Sequence, residues 1–213
     1  MADTNQETEL KLDLVTEENY RKLCDHFATV IDVKEQKNYF FDSADRLFYQ
    51  NGWALRLRIV DKKATLAAKG KAIRKTDGVV VRPETEQPVA RAWAYLVIHR
   101  GRFYFEILPL DIKNTLGFKI DGTLLKMFAS FQTKRTVVPF HCKGAALNLE
   151  IDRVEFADGS IEYELEVEFG DDQPIETATE EIKKFLGRLE IPVVYQDQSK
   201  LARAMNRIET EKT

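Results

Sequence analysis

The fold of this chain is decided by residues 7–14, ETELKLDL, in which a charged side chain occupies every second position. Successive side chains of a β-strand point to opposite faces, so Glu7, Glu9 and Lys11 share one face and Leu10 and Leu12 share the other. The solvent face of an antiparallel strand often carries such charges. The run therefore predicts a β-strand, and only its recurrence elsewhere gives the charged face a special meaning.

Alternating charge of both signs recurs in three later runs. Residues 54–58, ALRLR, carry the basic pair Arg56 and Arg58; residues 82–86, RPETE, mix the signs; residues 162–168, EYELEVE, form an acidic line. Carboxylate oxygens suit hard divalent cations, and guanidinium groups suit phosphate. A sheet with these faces is suited to hold metal ions and a polyanion.

Length and composition indicate a globular protein. The 213 residues are 44% apolar and 31% charged, which is enough for one domain, or one domain with an appended subdomain. A net charge of -3 argues against a surface that coats nucleic acid, and two cysteines, Cys24 and Cys142, predict neither a disulfide framework nor a cysteine-based zinc site. The polar N-terminus and the lack of an apolar run of about 18 residues predict a cytoplasmic protein with no membrane partner.

The common nucleotide and hydrolase motifs are missing from the sequence. It has no glycine-rich phosphate loop that ends in Gly-Lys-Ser/Thr, no dinucleotide-binding glycine fingerprint and no Gly-x-Ser-x-Gly elbow. Any chemistry on phosphates must therefore come from another arrangement of charged side chains.

Periodicity and turn signals predict eight strands and three helical regions. The strands are expected at about 7–15, 38–42, 53–60, 64–69, 79–87, 129–140, 146–156 and 161–169. A helix is expected from Thr16 to about Phe27, a helical insertion at about 89–126, and C-terminal helices at about 175–208, the last of them capped by Ser199. The pattern is that of an α+β fold.

The apolar faces of these strands need cover, as the alternating Leu55, Leu57 and Ile59 illustrate. Each predicted helix has a single apolar stripe and could cover them from outside a curled sheet. The charged faces would then line the lumen of a closed sheet. Crowded lumenal charges are costly unless they pair or bind ions, so the pattern favours a ligand-binding tunnel.

In six elements, taken in order along nearly the whole chain, the sequence resembles the CYTH superfamily, also called triphosphate tunnel metalloenzymes. The matched elements are the Glu-x-Glu-x-Lys of residues 7–11, LRLR at 55–58, TLAAKG at 65–70, ASFQTKR at 129–135, the late acidic runs LEID at 149–152 and ELEVE at 164–168, and SKL at 199–201. The resemblance implies an α+β fold with a closed antiparallel eight-stranded β-barrel, the triphosphate tunnel, and with helices packed on the outside. It also implies that residues 1–213 form a single CYTH-like domain.

In that family acidic side chains hold Mg²⁺ or Mn²⁺ and basic side chains hold a triphosphate. The resemblance implies as metal ligands Glu7, Glu9, Asp152, Glu164 and Glu166, with Glu150 and Glu168 as second choices. It implies as phosphate-binding residues Lys11, Arg56, Arg58, Lys69, Arg135 and Lys200. The catalytic role would fall to Glu7, Glu9, Lys11 and Lys200. Lys71 and Arg82 have suitable parity but fit solvated surface charges equally well.

The resemblance implies a metal-dependent hydrolase that cleaves the terminal phosphate of inorganic triphosphate or of a small organic triphosphate. A class IV-type adenylate cyclase is an alternative from the same family. A non-catalytic polyphosphate- or nucleotide-binding module is another, although the intact carboxylates count against it. The expected partner is a small-molecule triphosphate, with no nucleic acid, and the protein would be a monomer or a homodimer.

Trp53 bears on the choice of substrate, because thiamine triphosphatases in this superfamily carry a tryptophan beside the paired arginines. Trp53 stands an odd number of residues before Arg56, so strict alternation places it on the opposite face, in the core. This departure argues against thiamine triphosphate. Residues 129–136 do resemble thiamine triphosphatases, so that substrate stays open.

Overall fold

Eleven strands and six α-helices form the part of the chain that the computed structural model describes, residues 5–27, 29–30, 32–142, 145–170 and 172–210. The elements in chain order are β1 (Asn5–Asp13), α1 (Glu17–His26), β2 (Asp32–Asp42), α2 (Leu47–Gln50), β3 (Ala54–Val60), β4 (Lys63–Lys69), β5 (Ile73–Arg74), β6 (Val79–Pro88), α3 (Arg91–Arg100), β7 (Arg102–Tyr104), α4 (Leu110–Leu116), β8 (Leu124–Cys142), β9 (Ala145–Phe156), β10 (Ile161–Phe169), α5 (Ile175–Arg188), β11 (Val194–Tyr195) and α6 (Lys200–Thr210). Short 3₁₀ turns lie at Thr76–Gly78 and Phe105–Ile107.

Eight of the strands close into an antiparallel barrel. Their order around it is β1-β10-β9-β8-β2-β3-β4-β6, and β6 pairs back with β1. The short strands β5, β7 and β11 pair with β6, β8 and β1 respectively. Closure leaves no free edge among the eight barrel strands, and it confirms the predicted eight-stranded tunnel.

Helices cover the apolar outer face of the barrel on two sides. On one side Leu10 and Leu12 of β1 are buried with Leu23 of α1 and with Ile182 and Phe185 of α5. On the other side, Leu55 and Leu57 of β3 are buried with apolar residues of α3 and α4. The alternation seen in the sequence therefore separates an apolar outside, covered by helices as predicted, from a charged inside.

The last helix, α6, also reaches the inside of the barrel. Its Ala204 is buried against the inward-facing Phe40, Phe131 and Phe156, and Leu201 packs on the same cluster. The Ser199 hydroxyl accepts a hydrogen bond from the Ala202 N–H at 3.1 Å, so the predicted cap is present. This helix end brings Lys200 to the lumen.

The predicted insertion at 89–126 contains α3, β7, α4 and the beginning of β8. Its helices contact the outer face of the sheet, where the Thr115 and Thr85 hydroxyls share a 2.8 Å hydrogen bond.

Two strands begin earlier in the structure than the sequence predicted. Strand β2 starts at Asp32 and not at residue 38, and β8 starts at Leu124 and not at residue 129. In the described part of the chain, every helix is too short or too polar to cross a membrane.

Candidate active site

The lumen contains a cavity of about 850 Å³ lined by the inward faces of the barrel strands and by the start of α6. Most of the side chains that the sequence marked as site residues line it: Glu7, Glu9, Lys11, Arg56, Arg58, Lys69, Arg135, Glu150, Glu166, Glu168 and Lys200. Asp152 and Glu164 lie deeper in the wall and are almost completely buried. No described residue of the 89–126 insertion lines the cavity.

A buried cluster of three carboxylates stands at the α6 end of the cavity. Asp152 of β9 lies opposite Glu164 of β10, and Glu166 follows two residues later on the same face. One oxygen from each of the three lies within 4.8 Å of the others. Hard oxygen donors at this spacing are the ligands that Mg²⁺ and Mn²⁺ prefer, so the residues present fit such an ion.

Four cationic side chains neutralise this carboxylate cluster, and one of them, the buried Arg203 of α6, pairs with Glu164. Lys200 Nζ lies 3.0 Å from both Asp152 and Glu166 and also contacts Glu164. Arg135 binds Asp152 through two hydrogen bonds of 2.8 and 2.6 Å. Lys11 pairs with Glu166. The burial of so much charge is costly in the absence of a ligand, which is the pattern of a binding site.

The pKa values in this cluster follow from burial and from these partners. Burial lowers the pKa of Lys200 well below its ordinary value, and the charges of Lys11 and Arg135 act in the same direction. Burial alone would raise the pKa of Glu166, but Lys11 and Arg135 hold it well below its ordinary value. Glu166 therefore stays ionised beside a lysine that burial leaves poorly solvated.

Glu7 and Glu9 lie apart from the three-carboxylate cluster, in a second charged group. Arg82 Nε lies 2.6 Å from Glu7, and its Nη2 lies 2.8 Å from Glu9. Lys69 Nζ lies 2.9 Å from Glu7. Lys11 joins the two groups, because it contacts Glu9 at 2.9 Å as well as Glu166.

The second group extends to two carboxylates that had no predicted role. Glu84 lies 2.7 Å from Lys69, and Arg56 contacts Glu84 at 3.3 Å and Glu86 at 2.9 Å. Burial raises the pKa of Glu84 to about 7, against the opposing charges of Lys69 and Arg56. The sequence feature that could have predicted both carboxylates is their spacing: with Arg82 they occupy every second position, and therefore one face, of the same strand.

The two basic residues that the sequence left open have different positions. Arg82 is inside the barrel, with a side chain only 14% exposed and paired to two carboxylates. Lys71 lines the rim of the cavity but is exposed. Arg82 is therefore a lumenal cation, and Lys71 is a solvated charge at the entrance.

Arg58 differs from the other lumenal cations. Its Nε donates a hydrogen bond to the Asn38 side-chain oxygen at 3.4 Å, and no carboxylate of the described residues forms an ion pair with it. It is half-buried and lines the cavity. Its guanidinium group is therefore available for a phosphate without the loss of an internal ion pair.

Trp53 lies at the mouth of the cavity as well as in the core, so its prediction as a purely core residue is corrected. It precedes β3, which begins at Ala54, and strand alternation does not apply to it. The side chain is half-buried, packs on the second outer core cluster and lines the cavity. Its ring lies so close to Gly70 that a Cβ there would be 3.3 Å from it.

Comparisons with known proteins agree with this architecture. The family model described as CYTH domain matches residues 5–203. A putative adenylyl cyclase from Hippeastrum, described as having a dominant triphosphatase activity, has a similar structure, with a TM-score of 0.81 and 24% identity over 94% of this chain and 95% of that one. A putative adenylate cyclase from Bacillus halodurans has a TM-score of 0.68 and 22% identity over 95% and 98% of the two chains. A protein from Pyrococcus horikoshii has a TM-score of 0.60 and 20% identity over 97% and 99%. No curated protein matches the chain.

Proposed function

Because the chain belongs to the CYTH family, we propose that it is a divalent-metal-dependent triphosphatase that cleaves the terminal phosphate of inorganic triphosphate or of a small organic triphosphate. The dominant triphosphatase activity described for the Hippeastrum protein supports the choice of hydrolysis. We further propose a cytoplasmic enzyme that acts as a monomer or homodimer and binds neither nucleic acid nor membrane.

One observation carries the proposal: a buried cluster of three carboxylates borders a cavity through Glu166, and Arg58, which has no carboxylate partner among the described residues, lines the same cavity. Asp152, Glu164 and Glu166 offer oxygen ligands at one end, and Arg58 offers an uncompensated guanidinium group elsewhere on the wall. A polyphosphate needs both, because its oxygens bind metal ions and guanidinium groups alike. A half-buried lumenal cation without a carboxylate partner can pair with an anion from outside the chain.

Each group of residues has a proposed task. Asp152, Glu164 and Glu166 would hold Mg²⁺ or Mn²⁺, with Glu7 and Glu9 as the proposed ligands of a second ion. The bound metal would neutralise phosphate charge and acidify the attacking water. The proposed phosphate-binding residues are Lys11, Arg56, Arg58, Lys69, Arg135 and Lys200, now joined by Arg82.

The proposed reaction needs no protein nucleophile. Water oxygen forms a bond to the terminal phosphorus, the bond from that phosphorus to the bridging oxygen breaks, and the remaining phosphates leave. Lysine and arginine side chains fixed by the barrel stabilise the charge that develops on the leaving oxygen. The tunnel wall limits access of other nucleophiles to the reacting phosphate.

The test is phosphate release from inorganic triphosphate, ATP and thiamine triphosphate, each with Mg²⁺ or Mn²⁺ and with a chelator. Glu166→Gln should reduce the rate by at least about a hundredfold, since it removes a charged ligand from the cluster. Glu155→Gln is the matched control, because Glu155 lies on the neighbouring strand β9 with an exposed side chain whose ion pair, among the described residues, is with Arg153 at 3.0 Å. Equal rates in the two variants would contradict the proposal.

A class IV-type adenylate cyclase is the second candidate, and the descriptions of the Hippeastrum and Bacillus halodurans proteins favour it. The same assay separates the two, because a cyclase converts ATP to cyclic AMP and diphosphate, whereas a hydrolase gives ADP and phosphate. Tight triphosphate binding without turnover would instead indicate a binding module.

A further inference from the structure

An uncharged polar patch lies on the lumen wall between Arg58 and Arg135. It consists of Gln36, Asn38 and Thr133, which we call the neutral patch. Gln36 and Thr133 face each other in the β2–β8 pairing, and Asn38 is opposite Arg58 in the β2–β3 pairing. All three side chains line the cavity, although they are only 5%, 2% and 2% exposed. The patch is therefore a buried part of the cavity wall.

The hydrogen-bonding groups of the neutral patch are not fully satisfied by the described residues. The Thr133 hydroxyl is buried and has no partner among the described residues. Within the same part of the chain no hydrogen bond to the Gln36 amide is formed, and Asn38 only accepts one from Arg58. Because buried polar groups are normally hydrogen-bonded, two such side chains facing one cavity indicate an external partner.

An apolar wall adjoins the neutral patch. Phe40, Phe131 and Leu201 line the same cavity, and the centroids of the two phenylalanine rings are 5.5 Å apart. Aromatic rings add little to the binding of a bare polyphosphate, whose charged oxygens make no favourable apolar contact. The cavity volume of about 850 Å³ also lies in the range of about 300–1,000 Å³ that accommodates drug-sized ligands.

We propose that the neutral patch and its apolar wall form a subsite for the uncharged organic part of a nucleoside triphosphate, whose phosphates would lie along the neighbouring cations. This inference rests on the proposed function, because it names the substrate class of the same cavity. Amide and hydroxyl groups both donate and accept hydrogen bonds, as the uncharged edge of a nucleobase does. A cationic ring at this place would meet Arg58 and Arg135 on its two sides.

The experiment measures binding and does not depend on turnover. Isothermal titration calorimetry in the presence of Mg²⁺ would give the dissociation constants of two probes. One is ATP with a methylene bridge between its β- and γ-phosphorus atoms, and the other is inorganic triphosphate with methylene bridges between its phosphorus atoms. The variants are Thr133→Val and Gln36→Leu. Thr179→Val is the matched control, because Thr179 of α5 is also 2% exposed with an unpartnered hydroxyl but does not line the cavity.

Thr133→Val and Gln36→Leu should each weaken binding of the ATP analogue, relative to binding of the inorganic analogue, by roughly threefold to tenfold. This is the effect of one lost hydrogen bond. The ratio should not change in Thr179→Val. Equal weakening of both probes, no binding of the ATP analogue to the unaltered protein, or preferential binding of a cationic thiamine triphosphate analogue would each overturn the subsite. Failure of the proposed triphosphatase function is distinguishable, because it would abolish phosphate release without altering these binding ratios.

Discussion

Lys200 Nζ lies 3.0 Å from Oδ2 of Asp152, so the first residue of the last helix is ion-paired to a carboxylate that is completely buried in the barrel wall. The same ammonium group contacts Glu164 and Glu166. Lys200 therefore stands among the three carboxylates that are the proposed ligands of a divalent ion. Its positive charge and that of the ion compete for the same oxygens.

Replacement of Lys200 should strengthen metal binding and weaken triphosphate binding. In Lys200→Met the affinity for Mn²⁺ should rise at least about tenfold, because a positive charge that competes for the carboxylate oxygens is removed and a gain of about 1.4 kcal/mol already gives that factor. Without metal the variant should be less stable by about 3–5 kcal/mol, because buried carboxylates lose a partner. Titration with Mn²⁺, followed by electron paramagnetic resonance, measures the affinity.

The control for this change is Lys184→Met on α5, where the lysine side chain is 65% exposed. It should leave both the affinity for Mn²⁺ and the melting temperature nearly as they are. If Lys200→Met bound Mn²⁺ no more tightly than this control, the three carboxylates would not be the metal site.

Arg58 offers a way to weaken phosphate binding with little cost to the fold. Arg58→Ala should raise the dissociation constant of a non-hydrolysable inorganic triphosphate by about tenfold to a hundredfold, the effect of one lost charge-assisted hydrogen bond. Its melting temperature should hardly change, because no carboxylate is left unpaired. Isothermal titration and differential scanning calorimetry measure the two quantities.

Arg153→Ala is the matched control for Arg58, because Arg153 pairs with Glu155 at a partly exposed position. An exposed pair contributes little to stability, so this variant should bind triphosphate as the unaltered protein does. A normal dissociation constant for Arg58→Ala would show that the free guanidinium group does not contact the ligand.

The barrel could be predicted from the sequence because its most regular strands alternate without interruption. In β1, β3 and β10 charged residues share one face and apolar residues share the other, and closure is the arrangement that covers both faces. The position of a strand relative to its neighbours is not contained in that alternation. The separation of Glu7 from the cluster around Asp152 therefore became visible only from the pairing of β1 with β6 and of β9 with β10.

Other site residues escaped prediction because their strand has no simple period. Residues 34–37 of β2, KEQK, are polar on both faces, so nothing in the sequence marks Gln36 as an inward-facing side chain. Trp53 escaped for another reason: it lies just outside β3, where the alternation rule does not apply. Both cases show that the charged wall of the tunnel can be read from the sequence, whereas its uncharged part cannot.

Glu84 should make the stability of the protein depend on pH. Its pKa is raised from 4.5 to about 7, mainly by burial, so the folded protein keeps a proton that the unfolded chain loses near pH 4.5. The free energy of unfolding should therefore fall as the pH rises from about 4.5 to 7, by on the order of 3 kcal/mol at about 1.4 kcal/mol per pKa unit. Glu84→Gln should remove this fall. Urea unfolding at pH 5 and pH 8 measures the difference.

Glu86→Gln is the control for Glu84→Gln, because the two carboxylates have opposite shifts. Burial would raise the pKa of Glu86, but the charges of Arg56 and Arg58 lower it below 4.5. Its contribution to stability is present above pH 4.5 and is lost as the pH falls through the lowered pKa. A pH dependence that survives in Glu84→Gln but disappears in Glu86→Gln would reverse the assignment.

Gly70 tests whether the close approach of β4 and β6 matters for the site. A Cβ at this position would lie 2.5 Å from Pro83 Cγ and 3.3 Å from the Trp53 ring, so Gly70→Ala must displace Pro83, which lies between Arg82 and Glu84. The change should destabilise the protein by about 1–3 kcal/mol and should also weaken triphosphate binding.

Gly187→Ala is the matched control, since a Cβ there meets nothing within 4 Å and the position is helical. This variant should be more stable than the unaltered protein by about 0.5–1 kcal/mol. Urea unfolding and titration with the inorganic analogue measure both effects, and a Gly70→Ala protein that loses stability but binds triphosphate normally would show that the geometry of Arg82 and Glu84 is not needed for binding.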